Sequence, residues 1–147
     1  MKIFPIIFAL LLPACNAVNV KPNTLDKSQT IYAADRGGYT MKFAAKQALG
    51  ERGYKIVVGK AKNTIGGDEF IDLVANDTLN ARYILKVNEQ APRFSPVICA
   101  FNGFWWWRFN VSIADQKTGE ELLAWTGRGC ANGNLRRLNR IMDELEK

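Results

Sequence analysis

The clearest pattern of apolar and polar positions begins at residue 41 and has the period of a helix. Its apolar members are Met41, Ala44, Ala45, Ala48 and Leu49. In a helix these positions share one face, which a core would cover. Gly53 stands where helices commonly end. The run 54–58 that follows is rich in β-formers and predicts a strand.

The middle of the chain predicts a second helix and a second strand. Gly66-Gly67-Asp68 breaks the chain, and Asp68 could cap a helix. The apolar positions that support this helix are Phe70, Ile71, Val74 and Leu79. Residues 82–87 predict the second strand, and Pro92 and Pro96 make 88–98 a predicted loop.

The strongest prediction is a β-hairpin formed by residues 101–115 and 121–128, with a turn at 116–119. Gly119 supplies the residue that such a turn needs at positive φ. Alternation of side chains places one apolar set on the core face: Trp105, Trp107, Phe109, Val111 and Ile113. The register that buries most apolar residues sets five pairs opposite each other: Arg108 and Arg128, Asn110 and Thr126, Val111 and Trp125, Ile113 and Leu123, Gln116 and Glu120.

The chain ends in a predicted amphipathic helix that Asn132 or Asn134 would cap. Its apolar side consists of Leu135, Leu138, Ile141, Met142 and Leu145. Its polar side carries Arg136, Arg137, Arg140 and Glu144. The separation of the two sides predicts a helix that packs on one face of a sheet.

Together these elements predict an α/β (α+β) two-layer sandwich. It would have about four strands, including the long C-terminal hairpin, and two to three helices packed on one face. The strand 53–57, the segment Ala81-Arg82-Tyr83-Ile84-Leu85, the long strand, the Thr-Gly turn and the terminal helix resemble small periplasmic α/β domains. The amino-terminal domain of TolB and related envelope lipoproteins share this pattern. The resemblance covers residues 39–146, implies a binding or assembly role, and transfers no site residue.

The first 14 residues have the features of a signal peptide. Lys2 is followed by an apolar run over residues 3–12, which is shorter than the roughly 20 residues that span a bilayer. The run ends in Leu12-Pro13-Ala14-Cys15, which resembles the bacterial lipobox, although Pro13 departs from it. The resemblance implies cleavage before Cys15, lipidation of Cys15 and, from Asn16, sorting to the outer membrane facing the periplasm. Ordinary cleavage after Ala17 is the alternative.

The predicted organisation is therefore a signal peptide at 1–14, a lipidated Cys15 with a flexible tether over 15–36, and a single α/β domain at 37–147. Residues 16–36 contain Pro22, Asn23, Asp26 and Ser28 and few clustered apolar residues, which is typical of a tether.

Charge and location favour an anionic partner in the cell envelope. The formal charge of +6 falls to +5 when Lys2 leaves with the signal peptide. This excess suits acidic proteins, lipid headgroups or peptidoglycan carboxylates. It does not indicate nucleic acid. The expected partners are the membrane, through the lipid anchor, and another envelope protein or an anionic envelope component.

Three cysteines in an exported chain leave one without a partner. If Cys15 carries lipid, Cys99 and Cys130 remain, and an oxidising periplasm favours a disulfide between them. Thiol exchange by this pair is the functional alternative, although catalytic pairs usually stand close together as Cys-x-x-Cys.

No catalytic machinery is evident. The chain lacks histidine, the commonest general base and metal ligand. Asp68, Glu69 and Asp72 lack the spacing of a Ca²⁺ loop. We therefore expect no enzyme activity, metal or cofactor.

The candidate binding face lies on the polar side of the hairpin. It contains Trp106, Arg108 and Arg128, with Phe104 beside them. Opposed arginines repel each other, and an anion would relieve that repulsion. The alternative is a covered Trp106 and two solvated arginines.

Three functions compete on these grounds. The first is a non-enzymatic envelope lipoprotein that binds through this face. The second is an inhibitor or immunity lipoprotein that blocks a cell-wall hydrolase, with residues 88–97 as the plugging loop. The third is a thiol-exchange enzyme that uses Cys99 and Cys130.

Overall fold

The computed structural model describes residues 16–33, 40–58 and 81–147. In chain order the elements are β1 (Ala17–Val20), β2 (Thr30–Ala33), α1 (Met41–Glu51), β3 (Lys55–Val58), β4 (Tyr83–Glu89), β5 (Arg93–Phe94), β6 (Trp105–Asp115), β7 (Glu121–Cys130) and α2 (Ala131–Leu145). The described part of the chain thus forms an α+β fold with seven strands, where about four were expected.

All seven strands join one mixed sheet. Its order is β1-β7-β6-β4-β2-β3, and β5 pairs with the start of β6. β2 runs parallel to both β3 and β4, and the remaining pairs are antiparallel. β2 and β3 are parallel and α1 lies between them in sequence, so α1 belongs to a βαβ unit.

The two helices contact each other and pack against the sheet. The core between the layers takes its largest fully buried side chains from both helices and the central strands: Trp125, Tyr83, Ile31, Met41, Leu49, Ile113, Leu123, Leu138, Met142 and Leu145. The predicted apolar faces of both helices are thereby largely confirmed, because Ala45, Ala48 and Ile141 are also buried.

Two charged side chains hold α1 in place, one by joining it to the sheet and the other by joining it to α2. Glu89 at the end of β4 accepts hydrogen bonds at Oε2 from the Thr40 hydroxyl (2.8 Å) and from the Lys42 backbone N–H (3.2 Å). A carboxylate suits this place, since the first N–H groups of a helix lack partners within the helix. Arg52 at the end of α1 donates to Asp143 Oδ1 (2.7 Å) and to the Asn139 carbonyl (3.2 Å) of α2.

The register of the hairpin is confirmed over most of its length. Four predicted pairs are found: Arg108 with Arg128, Asn110 with Thr126, Val111 with Trp125, and Ile113 with Leu123. The predicted pair of Gln116 with Glu120 is wrong, because the register shifts after Ile113. Asp115 bonds to Glu120 instead, through its backbone N–H (2.8 Å). Gly119 has φ +72°, as the turn requires.

The prediction of a flexible tether at 15–36 is wrong for residues 16–33, the part of it that the structure describes. β1 pairs with β7 along the edge of the sheet, and β2 lies inside the sheet between β3 and β4. Between the two strands, the Tyr83 hydroxyl accepts from the Asp26 N–H (3.1 Å) and donates to the Thr24 carbonyl (3.3 Å). The domain therefore includes residues from Ala17 onward, not only 37–147.

Two further predictions differ in detail, and a third is not tested. Residues 88–98 do not form one continuous loop, because β4 continues to Glu89 and β5 occupies Arg93–Phe94. α2 begins at Ala131 after Cys130, earlier than a cap at Asn132 or Asn134 would give. The helix expected at 68–79 and the acidic residues Asp68, Glu69 and Asp72 lie outside the described residues.

Helices long and apolar enough to cross a membrane do not occur among the residues that the structure describes.

Candidate functional site

The predicted binding residues gather at the end of the sheet where β6 begins and β7 ends. Arg108 and Arg128 stand directly opposite each other on adjacent strands, and both are exposed. Trp106 lies between Arg93 of β5 and Cys130 of β7 and is half-buried. Phe104, just before β6, is exposed and has a positive φ of 59°. The structure thus brings all four predicted residues to one end of the sheet.

The two arginines lack ionic partners within the described ranges 16–33, 40–58 and 81–147. Ion pairs occur elsewhere in those ranges, such as the one between Arg82 and Asp115, but none includes Arg108 or Arg128. Asn110 and Thr126 form the next pair on the same face of the sheet. Together with Arg108 they line a shallow groove of about 290 Å³. Glu89 also lines this groove, and its carboxylate is bonded to the Thr40 hydroxyl and the Lys42 backbone N–H. The positive charge of the surface comes from the arginine pair, and an anion would reduce the repulsion between the two guanidinium groups.

The start of the described chain reaches the same surface. The Arg128 backbone N–H donates to the side-chain oxygen Oδ1 of Asn16 (3.0 Å). Asn16 directly follows Cys15 in the sequence. The predicted lipidation residue is therefore bonded to a residue that lies beside the arginine pair.

The predicted disulfide is present. Cys99 and Cys130 are bonded, with Cα atoms 5.4 Å apart. Cys99 is fully buried and Cys130 is half-buried. The bridge ties the segment before β6 to the start of α2. The burial of Cys99 is typical of a structural bridge, whereas reactive thiols are usually accessible.

Sequence reasoning missed a surface of exposed apolar side chains, which we call the apolar loop (residues 94–105). The exposed fraction is 98% for Phe101, 90% for Val97, 71% for Ile98 and 63% for Phe94. Trp105, which was expected in the core, is 43% exposed and packs edge-on against the Phe94 ring, with centroids 5.3 Å apart. The expectation failed because Trp105 begins β6, at the end of the sheet that borders the exposed loop. A signal was present in the sequence: residues 90–114 contain many apolar residues and no carboxylate.

Other surfaces offer less chemistry. A groove of about 650 Å³ between β1 and α2 is lined by Val18, Val20, Arg137, Arg140 and Glu144, among others. Groups of acidic, cysteine or histidine side chains that could hold a metal ion do not occur within the described ranges. The plugging loop expected at 88–97 is shortened, because Asn88, Glu89, Arg93 and Phe94 belong to strands.

The described ranges define a class: an α+β domain whose mixed sheet is covered, in those ranges, by two helices, with a disulfide at one end. No family model matches the chain. No curated protein matches it either.

Among solved structures, the chain is similar to PelC from Paraburkholderia phytofirmans, described as a dodecamer. For one such structure the TM-score is 0.60 at 15% identity, covering 89% of this chain and 96% of that chain. For a variant of the same protein with a leucine replaced by methionine, the TM-score is 0.55 at 13% identity, with 89% and 95% covered. At this identity the similarity establishes the fold alone.

Proposed function

We propose that the chain is a non-enzymatic envelope lipoprotein, anchored through Cys15 in the outer membrane. It faces the periplasm and acts as a binding or assembly module. Its partner is another envelope protein or an anionic envelope component. One observation carries the proposal: two exposed arginines stand opposite each other with no ion-pair partner in the described ranges, beside the residue that follows Cys15.

The arginine pair is costly for the free protein, which supports a role in binding. Like charges directly opposite in neighbouring strands destabilise a sheet. Arg128 and Arg108 could each offer a planar set of donors that matches a carboxylate or a phosphate. Arginine and tryptophan are also enriched where interfaces concentrate their binding energy, and half-buried Trp106 lies next to the pair.

Open grooves at the surface of the described residues suit the proposed role as a binding module. Three grooves at the surface of the described residues are open to solvent, and their lining residues include no histidine or cysteine. The fold is shared with PelC, whose solved form is a dodecamer. Assembly with further copies is therefore one form that the binding role of this chain could take.

The anchor is tested by fractionating cells that express the wild type or Cys15→Ser and by measuring the intact mass of each. We expect the wild type in the outer-membrane fraction, beginning at an acylated Cys15, and Cys15→Ser outside that fraction. A soluble wild type that begins at Val18 would show that the protein is a free periplasmic factor.

The binding face is tested by crosslinking in the envelope. Arg108→Glu combined with Arg128→Glu should abolish capture of the wild-type partner. A matched control, Lys117→Glu combined with Arg140→Glu, makes the same change in net charge at exposed positions away from the pair and should retain capture. If both double variants capture the same partners as the wild type, the arginine pair is not the binding surface.

A further inference from the structure

We propose that the apolar loop inserts into the surface of the membrane that holds the anchor, so that the domain touches the bilayer at two points. The inference rests on the proposed lipidation of Cys15. It adds a second, non-covalent contact and fixes how the domain is oriented on the membrane.

The first argument is the concentration of exposed apolar side chains in one short segment. Water-facing loops are ordinarily polar, and single exposed apolar residues need no explanation. Here exposed apolar side chains are concentrated within twelve consecutive residues: Phe94, Val97, Ile98, Phe101, Phe104 and Trp105. A concentration of exposed apolar side chains of this kind marks a surface that meets another apolar phase.

The second argument is that the loop is held in place. Backbone N–H groups of Ser95, Cys99 and Asn102 donate within the loop, to Phe104, Ser95 and Cys99 respectively (2.8–3.0 Å). The Cys99–Cys130 bridge joins the loop to the start of α2. These bonds hold the backbone of the loop in a defined arrangement, so the backbone need not be ordered when the loop inserts.

The backbone of the loop also includes conformations that only a specific requirement would retain. Phe101 and Phe104 have φ values of 60° and 59°, a region that bulky residues rarely occupy. Gly103 between them has φ 88°, and a Cβ there would lie 2.9 Å from Asn132 Oδ1. Strained residues of this kind indicate a functional surface more often than an arbitrary loop.

The third argument is position. Followed backward from Val20 to Asn16, β1 approaches the end of β7 that carries Cys130. β7 alone separates β1 from β6, so the two outer strands lie roughly 10 Å apart. The apolar loop leads into β6 at this same end. An acylated Cys15, bonded to Asn16, would therefore enter the bilayer on the side to which the loop points.

Charge at this end favours a phosphate-bearing surface. Residues 90–114 and 122–142 contain no Asp or Glu. Arg93, beside Phe94 in β5, and Arg136, whose guanidinium lies 3.5 Å from Asn102 Oδ1, are both exposed and flank the loop. Aromatic side chains bordered by arginine are typical of segments that lie in the interface of a membrane.

The test places a tryptophan reporter at each end of the hairpin of the full, acylated protein. Phe101→Trp labels the loop, and Lys117→Trp labels the exposed turn at the far end, roughly 35 Å away along β6. Each protein is reconstituted in phosphatidylethanolamine/phosphatidylglycerol vesicles, with and without lipids brominated on their acyl chains, and compared with the wild type.

We expect the added emission of Phe101→Trp to shift to the blue and to be mostly lost in brominated vesicles. The added emission of Lys117→Trp should change in neither respect. If the protein floats with the vesicles and neither reporter is quenched, the anchor is correct and the loop inference is wrong.

Two other outcomes also overturn the inference and can be told apart. A blue shift of Phe101→Trp that depends on protein concentration and not on lipid would show that a second copy covers the loop. A wild type that carries no acyl group and does not float would contradict the proposed anchor, and the loop inference with it.

Discussion

The two ends of the β6–β7 hairpin are both ordered, but by opposite means. At the turn, the buried carboxylate of Asp115 accepts from Arg82 (Nε 3.1 Å, Nη2 3.0 Å) and from the Lys117 backbone N–H (2.8 Å). At the other end, a disulfide and backbone hydrogen bonds hold a loop whose exposed side chains are apolar. An ion pair stabilises the turn, and a disulfide stabilises the loop.

The contrast indicates that the turn is stable in water, whereas the loop favours contact with an apolar phase. A polar turn that surrounds one ion pair is stable in water, because every charged group has a partner or solvent. A rigid apolar loop exposes a surface that water disfavours, in proportion to its area. The difference therefore supports the orientation proposed above, with the turn in the periplasm and the loop at the bilayer.

The largest expected effect is the difference in stability lost when a tryptophan is removed from the core of the hairpin and when one is removed from its apolar end. Trp125→Ala should lower the free energy of unfolding by about 3–5 kcal/mol, because it leaves a cavity in the core. Trp125 Nε1 has no acceptor, so no hydrogen bond is lost with the side chain. Trp105→Ala should cost only ~1 kcal/mol, the scale of an aromatic pair. Urea unfolding of both variants measures the difference, and equal losses would show that Trp105 belongs to the core after all.

The next effect concerns the bridge at the apolar end. Replacing Cys99 and Cys130 together by Ser should reduce the free energy of unfolding by about 2–4 kcal/mol, since the bond closes a 31-residue separation. Amide exchange should then quicken across residues 95–104 and stay slow at Asp115 and Gly119. Exchange that quickens equally at both ends would mean that the bridge stabilises the whole domain and does not specifically order the loop.

The hairpin could be predicted from the sequence because a long alternating pattern of apolar and polar residues lies within one continuous segment. Eleven residues of alternating side chains in β6 fix both faces, and burial of Trp125 selects one register. The opposition of Arg108 and Arg128 follows directly from that register. The disulfide followed from the expectation that Cys15 carries lipid and that the domain is exported, because that expectation left Cys99 and Cys130 as the remaining pair.

The strands at the front of the chain could not be predicted in the same way. β1 and β2 have four residues each and are separated by a polar segment. Their stability comes from distant partners, β7 for β1 and β3 and β4 for β2. Strand preference depends on such neighbours more than on the residue itself. The apolar loop was missed for a related reason, since alternation indicates which face Trp105 is on but not where the helices end.

A third prediction uses pH to probe the polar end. Burial raises the pKa of Asp115, but hydrogen bonds from Arg82 and from the Lys117 and Thr118 backbone outweigh it and hold the pKa below 3.8. A carboxyl whose pKa is lower in the folded state stabilises the fold above pH 3.8, and this contribution is lost as the pH falls through the folded value. Asp115→Asn should therefore lose stability at pH 7 and flatten the acid limb of the stability curve. Thermal unfolding from pH 2 to pH 7 checks this, and an unchanged acid limb would assign the acid sensitivity to another carboxyl.

The smallest effect concerns the arginine pair. Arg128→Glu would replace a repulsive cross-strand pair by an attractive one with Arg108, and should raise the free energy of unfolding by about 0.5 kcal/mol at low salt. The gain should shrink at high salt, because both side chains are exposed. Arg128→Gln is the matched control, since it removes the repulsion without adding an attraction and should give a smaller gain. A more stable variant that no longer captures the partner would show that the wild-type pair is retained for binding at the expense of stability. If Arg128→Glu instead destabilises the protein, the two guanidinium groups do not repel each other in the folded state, and the main argument for a binding role at this position is lost.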